Sequence, residues 1–153
     1  MTENLIGEGM TEENLTAVLK ETFSLKPVDA SQYSPLALAY MGDNVYELVN
    51  RTLALYRANR SSEKLHAECS RRAKAGTQAA LAVLLEPDFT EEELAVYRRG
   101  RNAAVNTKAK NASMAEYHEA TGLEALIGYL YLKGSFSRIA ELLKKGFTAL
   151  DLL

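Results

Sequence analysis

Two carboxylates stand where carboxylates are costly. Asp43 lies in AYMGDNVYELV and Glu124 in ATGLEALIGYLYL, each inside an apolar stretch of helical character. An ionised carboxylate embedded in a buried helix carries a large desolvation penalty unless it is paired or metal-bound. A buried ion pair with an arginine, a cap on a neighbouring helix, and a metal or catalytic site all meet that cost, and residue type alone leaves the three open. Glu47 follows Asp43 by one helical turn and can share its face, although an ordinary surface ion pair accounts for it equally well. Gly42 directly precedes Asp43, and Gly122 directly precedes Leu123-Glu124. Glycine weakens a helix. What it offers in return is close approach by another backbone, a hydration shell or a substrate. A second chemical feature is the stretch RRGRNAAVNTKAKNAS, in which Arg98, Arg99, Arg101, Lys108 and Lys110 are joined by Asn, Ser and Thr, with no acid from Arg98 to Ala115. Such donors suit phosphate and sugar oxygens. Arg51, Arg57, Arg60, Lys64, Arg71, Arg72 and Lys74 make another basic stretch, which reads first as a solvated helix face. Other chemistries are poorly supported. His66 and Cys69 offer only two ligands at i,i+3, and Cys69 fits a core position. There is neither a phosphate-binding glycine loop nor a nucleophile elbow.

The elements that must position these residues read as helices. Thr11 can cap a short helix carrying Leu15, Val18 and Leu19 on one face, and residues 26–33 read as a linker. Ser34-Pro35 is a cap followed by proline at the first helical position. The helix it opens carries more apolar residues between Leu36 and Tyr56 than one stripe needs, which predicts a largely buried helix. Ser61 or Ser62 starts the next, and Gly76 marks a bend, a break or close packing within it. Thr90 with Glu93, and Ser113 with Glu116, are capping boxes. Lys133-Gly134 is a stop signal, and Ser135 can cap a last helix. The fold class is all-α, about six or seven helices, with no strand.

Composition sets the outer bounds. The chain has 153 residues, 47% hydrophobic and 25% charged, the profile of one globular domain with a real core. A net charge of −2 excludes function through bulk positive charge but not through a local patch. The charge is uneven: residues 1–30 hold six acids and two bases, so the remainder is net basic. One cysteine excludes an internal disulfide framework and a multi-cysteine zinc site. No apolar run approaches ~18 residues. The acidic N-terminus lacks the basic and apolar regions of a signal peptide. A cytoplasmic protein with no membrane association is expected.

The two acidic helices carry a resemblance. SPLALAYMGDNVYELVNR resembles the signature helix of ribonuclease III catalytic domains, and ATGLEALIGYLYLKG resembles their second acidic helix, in the same order and about eighty residues apart. The similarity spans roughly residues 31–148, and YRRGRN and LALAYMGD resemble the Mini branch, which lacks a double-stranded-RNA-binding domain. The resemblance implies a ribonuclease III-type helical endonuclease domain over 31–153, with residues 1–30 an acidic N-terminal extension bearing a short helix. It implies a homodimer that cuts both strands of an RNA duplex with Mg2+, leaving 5′-phosphate and 3′-hydroxyl ends. The larger members surround the metal with four carboxylates. Asp43 and Glu124 match two of these and are the implied catalytic residues and metal ligands. The other two positions hold Ala39 and Thr121. Waters and RNA phosphate must then complete the magnesium shell, which magnesium tolerates, and Glu47 could add an outer-sphere contact. From the chain length no added RNA-binding module of about 65–70 residues is expected. RNA binding is therefore expected from Arg98, Arg99, Arg101, Lys108 and Lys110, weak and salt-sensitive. The apolar surplus of the two acidic helices favours a large isologous interface. The branch further implies maturation of the large-subunit (23S) ribosomal RNA precursor, where a ribosomal protein can assist. The alternative is a dimeric RNA-binding module of the same fold that no longer cuts.

Overall fold

The computed structural model describes residues 13–103 and 113–153, and the described residues form seven α-helices and no strand. They are α1 (Leu15–Thr22), α2 (Pro35–Arg57), α3 (Ser62–Ala73), α4 (Ala75–Leu85), α5 (Glu91–Ala103), α6 (Met114–Leu132) and α7 (Phe136–Ala149), with short 3-10 turns at Ala30–Gln32 and Glu86–Asp88.

Helix α6 is the hub. Every residue from Ala120 to Leu130 except Glu124 is buried, because α2, α4 and α5 pack around it and α7 closes one side. A helix apolar on all faces belongs in a core. Burying Leu123, Leu126, Ile127 and Leu130 contributes about 1.5–3 kcal/mol each relative to exposure. Its start is the expected capping box: Glu116 N–H donates to Ser113 Oγ at 3.1 Å, and Ser113 N–H donates to Glu116 Oε1 at 3.2 Å. Its end is Gly134, in the left-handed region at φ 77°. The Thr90–Glu93 box opens α5 in the same reciprocal way. Ser34 caps α2, accepting from the Ala37 N–H with Pro35 behind it.

Four local readings change. Thr11 lies outside the described residues, and the cap of α1 is Asn14, whose side chain accepts from Ala17 N–H at 2.8 Å. Within residues 26–33, Asp29 caps the 3-10 turn. Ser135 precedes α7 without a side-chain capping bond. The helix after Ser61 breaks at Lys74, two residues before Gly76. There, side chains take over the carbonyls that a continuing helix would use. Tyr46 Oη donates to Arg72 O, Thr77 Oγ1 to Arg71 O at 2.9 Å, and Asn50 Nδ2 to Cys69 O at 2.9 Å.

That break is held by a buried ionic knot between α2, α3 and the C-terminus. Arg72 is 1% exposed. Its guanidinium donates to Glu68 Oε2 at 2.7 Å, to Leu152 O at 2.7 Å and to the Asn50 side chain, over the Phe147 ring. Arg60 also pairs with Glu68. The Arg72 hydrogen bond, with help from Arg60, holds the Glu68 carboxyl down at about 2 against burial. Arg72 and Arg60 are thus structural members of a stretch read as a solvated face.

The largest departure is α2. It buries Leu38, Ala39, Val45, Tyr46 and Ala54, but Leu36, Tyr40, Leu48, Leu55 and Tyr56 are exposed, Tyr40 at 81% and Tyr56 at 89%. The apolar surplus faces outward, so the helix is half-buried within one chain. Cys69 is buried, as its position predicts.

Candidate active site

Asp43 and Glu124 meet where α2 crosses α6. The crossing is made by glycines from both helices. A Cβ on Gly42 would lie 2.6 Å from the Glu124 carbonyl carbon and 2.9 Å from Gly128 N, and one on Gly128 would overlap the Leu38 carbonyl. Carbon contacts normally sit at about 3.5–4.0 Å, so only glycine allows this approach. The crossing lies beside Asp43 and at Glu124 itself, which is why the two carboxylates come together. Gly122 serves a different contact, admitting the Tyr97 ring and carbonyl of α5.

The two acids sit in unlike surroundings. Asp43 is exposed rather than embedded, at the edge of a cleft of about 770 Å³ between α2 and α3. Asn44 and Glu47 share its wall, and His66 and Ser70 lie opposite. Glu124 is partly buried and does not border that cleft. Burial pushes the Glu124 carboxyl up to about 8, the neighbouring Asp43 adds to the rise, and the Gln78 side chain of α4 opposes it. Among the described residues neither acid forms an ion pair, so the buried-salt-bridge reading finds no partner here. Glu47 is held by Arg51 at 3.4 Å on its own helix.

Two adjacent carboxylates without a cationic partner are a donor set that a divalent cation fits. Asp43 and Glu124 would hold it. Among the described residues no group of three His, Cys, Asp or Glu side chains converges as a metal site. Ala39 is buried against the core, and Thr121 Oγ1 donates to Tyr117 O at 3.0 Å, so neither replaces a missing carboxylate.

The basic candidates divide. Arg98 is exposed on α5. Arg99 reaches Tyr33 O at 3.4 Å, and Arg101 is half-buried with its guanidinium 5.5 Å from the Tyr97 ring centroid. Lys108 and Lys110 lie outside the described residues. Gln78 is a site neighbour that sequence reasoning missed. Its signal was one amide inside the apolar run AGTQAALAVLL.

The family model for the "Ribonuclease III domain" matches residues 36–135, which include both acids. The chain is 42% identical over 117 residues to Mini-ribonuclease 3 of Clostridium tetani, covering 76% of this chain and 78% of that protein. It is 46% identical over 110 residues to Mini-ribonuclease 3 of Symbiobacterium thermophilum, covering 72% and 85%. A crystal structure of a Fusobacterium nucleatum protein superposes with a TM-score of 0.71 at 28% identity, over 77% of this chain and 94% of that one. The chain belongs to the Mini-ribonuclease 3 branch of the ribonuclease III family and is an endoribonuclease of that family. Among the described residues no helix is long and apolar enough to cross a membrane.

Proposed function

We propose that this endoribonuclease cuts double-stranded or structured RNA as a homodimer, using Mg2+ held by Asp43 and Glu124, and leaves 5′-phosphate and 3′-hydroxyl ends. The observation that carries the reading is the convergence of these two acids, from helices about eighty residues apart in sequence, with no ion pair to either among the described residues. When bound, the metal supplies a lowered water pKa and neutralises charge on the reacting phosphate. Asp43, exposed at the cleft edge, is the ligand that substrate reaches first. Glu124, held behind it, must release its proton for the pair to carry its full charge. The α5 arginines bind duplex backbone, since double-stranded RNA is recognised through shape, phosphates and 2′-hydroxyls.

The exposed α2 stripe is the face for a second copy. Leu36 and Tyr40 lie on the same side of α2 as Asp43, and Leu55 and Leu48 continue the exposed face further round the helix. A twofold dimer through that stripe sets one carboxylate pair against each strand of a duplex. The natural substrate in this reading is the large-subunit (23S) ribosomal RNA precursor, with a ribosomal protein as accessory partner, in the cytoplasm. The test is cleavage of that precursor with both new ends mapped, alongside light scattering. Paired cuts bearing 5′-phosphates from a particle of twice 16.9 kDa are expected. A monomer at micromolar concentration, or intact precursor with magnesium present, contradicts the proposal.

A further inference from the structure

We propose that α1 and residues 23–30 form an arm that packs on a second copy of this chain and extends the interface begun by the exposed α2 stripe. The inference rests on the dimer proposed above.

Helix α1 carries a docking face that its own chain leaves uncovered. Leu15, Val18, Leu19 and Thr22 recur at i, i+3, i+4 and i+7, so one side of the helix is mostly apolar. None of its residues is buried. Leu15 is 68% exposed, and Phe23, which ends the helix, is 66% exposed. A side-chain hydrogen bond between Thr16 Oγ1 and Tyr131 Oη of α6, at 3.1 Å, ties the helix to the body without covering that face. Eight residues are too few for a helix to be stable in water by itself, so packing must supply the rest. Leu25, Val28, Tyr33 and Leu36 are exposed in turn. Large exposed apolar side chains thus run along the chain from Leu15 to Tyr40, and the arm is continuous with the α2 stripe.

A second copy is the occupant these observations favour. An interface of ordinary size takes about 20–30 residues a side, and Leu36, Tyr40, Leu48 and Leu55 supply only four of them. Charge points the same way. Residues 1–30 hold six acids and two bases, whereas the rest of the chain is net basic. An acidic arm repels RNA and repels another arm, but it is attracted to the body of the partner. Two α2 helices paired antiparallel bring the N-terminal end of one stripe, from which the arm extends, to the C-terminal end of the other. Arg51 and Arg57 are exposed there.

The test compares full-length wild type with the triple variant Leu15→Gln, Leu19→Gln, Phe23→Gln by sedimentation equilibrium across micromolar concentrations. Glutamine keeps helix propensity and removes the apolar contact. These side chains bury little in their own chain, so a role confined to one copy predicts an unchanged dimer constant. The arm predicts a dimer weakened by at least about tenfold, with the thermal melt of each folded copy unchanged. A dimer constant equal to wild type overturns the arm and leaves the α1 face to a different partner. A second measurement keeps the side chains in place and decides the matter if the triple variant fails to fold. Isotope-labelled wild type is mixed with unlabelled protein carrying a nitroxide at Lys20→Cys in a Cys69→Ala background. Broadening of amides near Arg51 and Arg57 in the unmodified copy is expected, and its absence in a mixture that forms dimers overturns the arm. Wild type that sediments as a monomer would instead remove the dimer reading beneath it.

Discussion

Gly42→Ala separates the geometry of the site from its chemistry, because it touches no reacting group. The added methyl would stand 2.6 Å from the Glu124 carbonyl carbon and 2.9 Å from Gly128 N. Both are backbone atoms of the central helix, so no rotamer change relieves the overlap. The Glu124 carbonyl oxygen overlaps more deeply still, so restoring contacts of about 3.5–4.0 Å requires α2 and α6 to separate by at least roughly 1 Å. Overpacking of this kind costs about 1–3 kcal/mol, with the upper end expected for a backbone contact. The same ångström separates Asp43 from Glu124, and displacement on that scale costs about 100-fold in rate. The assay is kcat per folded molecule on a short RNA duplex, with the folded fraction taken from a urea melt of the same sample. Gly134→Ala is the control. It sits at φ 77° with nothing within 4 Å, so it should lose about 1 kcal/mol of stability and no activity. A Gly42→Ala enzyme with wild-type kcat would refute the claim that this crossing places the carboxylates.

Three further outcomes follow from named groups. Glu124 keeps its proton to about pH 8 in the folded state and loses it near 4.5 when unfolded, so its contribution to stability is full below 4.5 and lost as pH rises through 8. In chelator, Glu124→Gln should abolish that decline, and urea melts at pH 5.5 and 8.5 that fall as steeply as wild type would contradict it. Glu68 behaves oppositely: held at about 2, it contributes above 4.5 and that contribution fades as pH falls toward 2. Arg72→Met should lessen this acid-sensitive part, with Arg60 still paired to Glu68, and cost about 3–5 kcal/mol at neutral pH, checked by the same melts, because Glu68 loses its main partner and Leu152 O its buried donor. Replacing Arg99, Arg101, Lys108 and Lys110 with alanine should weaken duplex binding in Ca2+ and flatten its salt dependence by somewhat under one unit for each phosphate no longer neutralised. An unchanged slope would move the RNA surface to Lys64, Arg71 and Lys74.

Features set by neighbouring residues were legible in the chain. Ser34-Pro35, Thr90–Glu93, Ser113–Glu116 and Lys133-Gly134 each complete their own hydrogen bonds or turns within a few positions, so the helix boundaries they mark are the ones observed. Features that depend on what lies across the fold were not. The apolar residues of α2 predict a largely buried helix, yet Tyr40 and Tyr56 are exposed, because apolar type alone does not say which face the rest of the chain covers. Gly42 offered close packing or a ligand approach, and only the crossing with α6 decides for packing. Asp43 and Glu124 looked alike in sequence, yet one is exposed and the other partly buried, because a cleft and a neighbouring helix meet them from outside their own helices. The break at Lys74 depends on Tyr46 and Asn50 bonding to α3 carbonyls from α2, a contact that no local pattern announces.

The most direct test is duplex RNA incubated with wild-type, Asp43→Asn and Glu124→Gln proteins, with binding and cleavage followed together as Mg2+ is titrated. Each amide keeps the shape of its parent side chain and removes its charge. The expected result is cleavage by wild type that depends on Mg2+ and stops in chelator, with both variants folded, still binding duplex, and inactive. Near-wild-type cleavage by either variant, or cleavage by wild type in chelator, would contradict the assignment of Asp43 and Glu124 as the metal-holding pair.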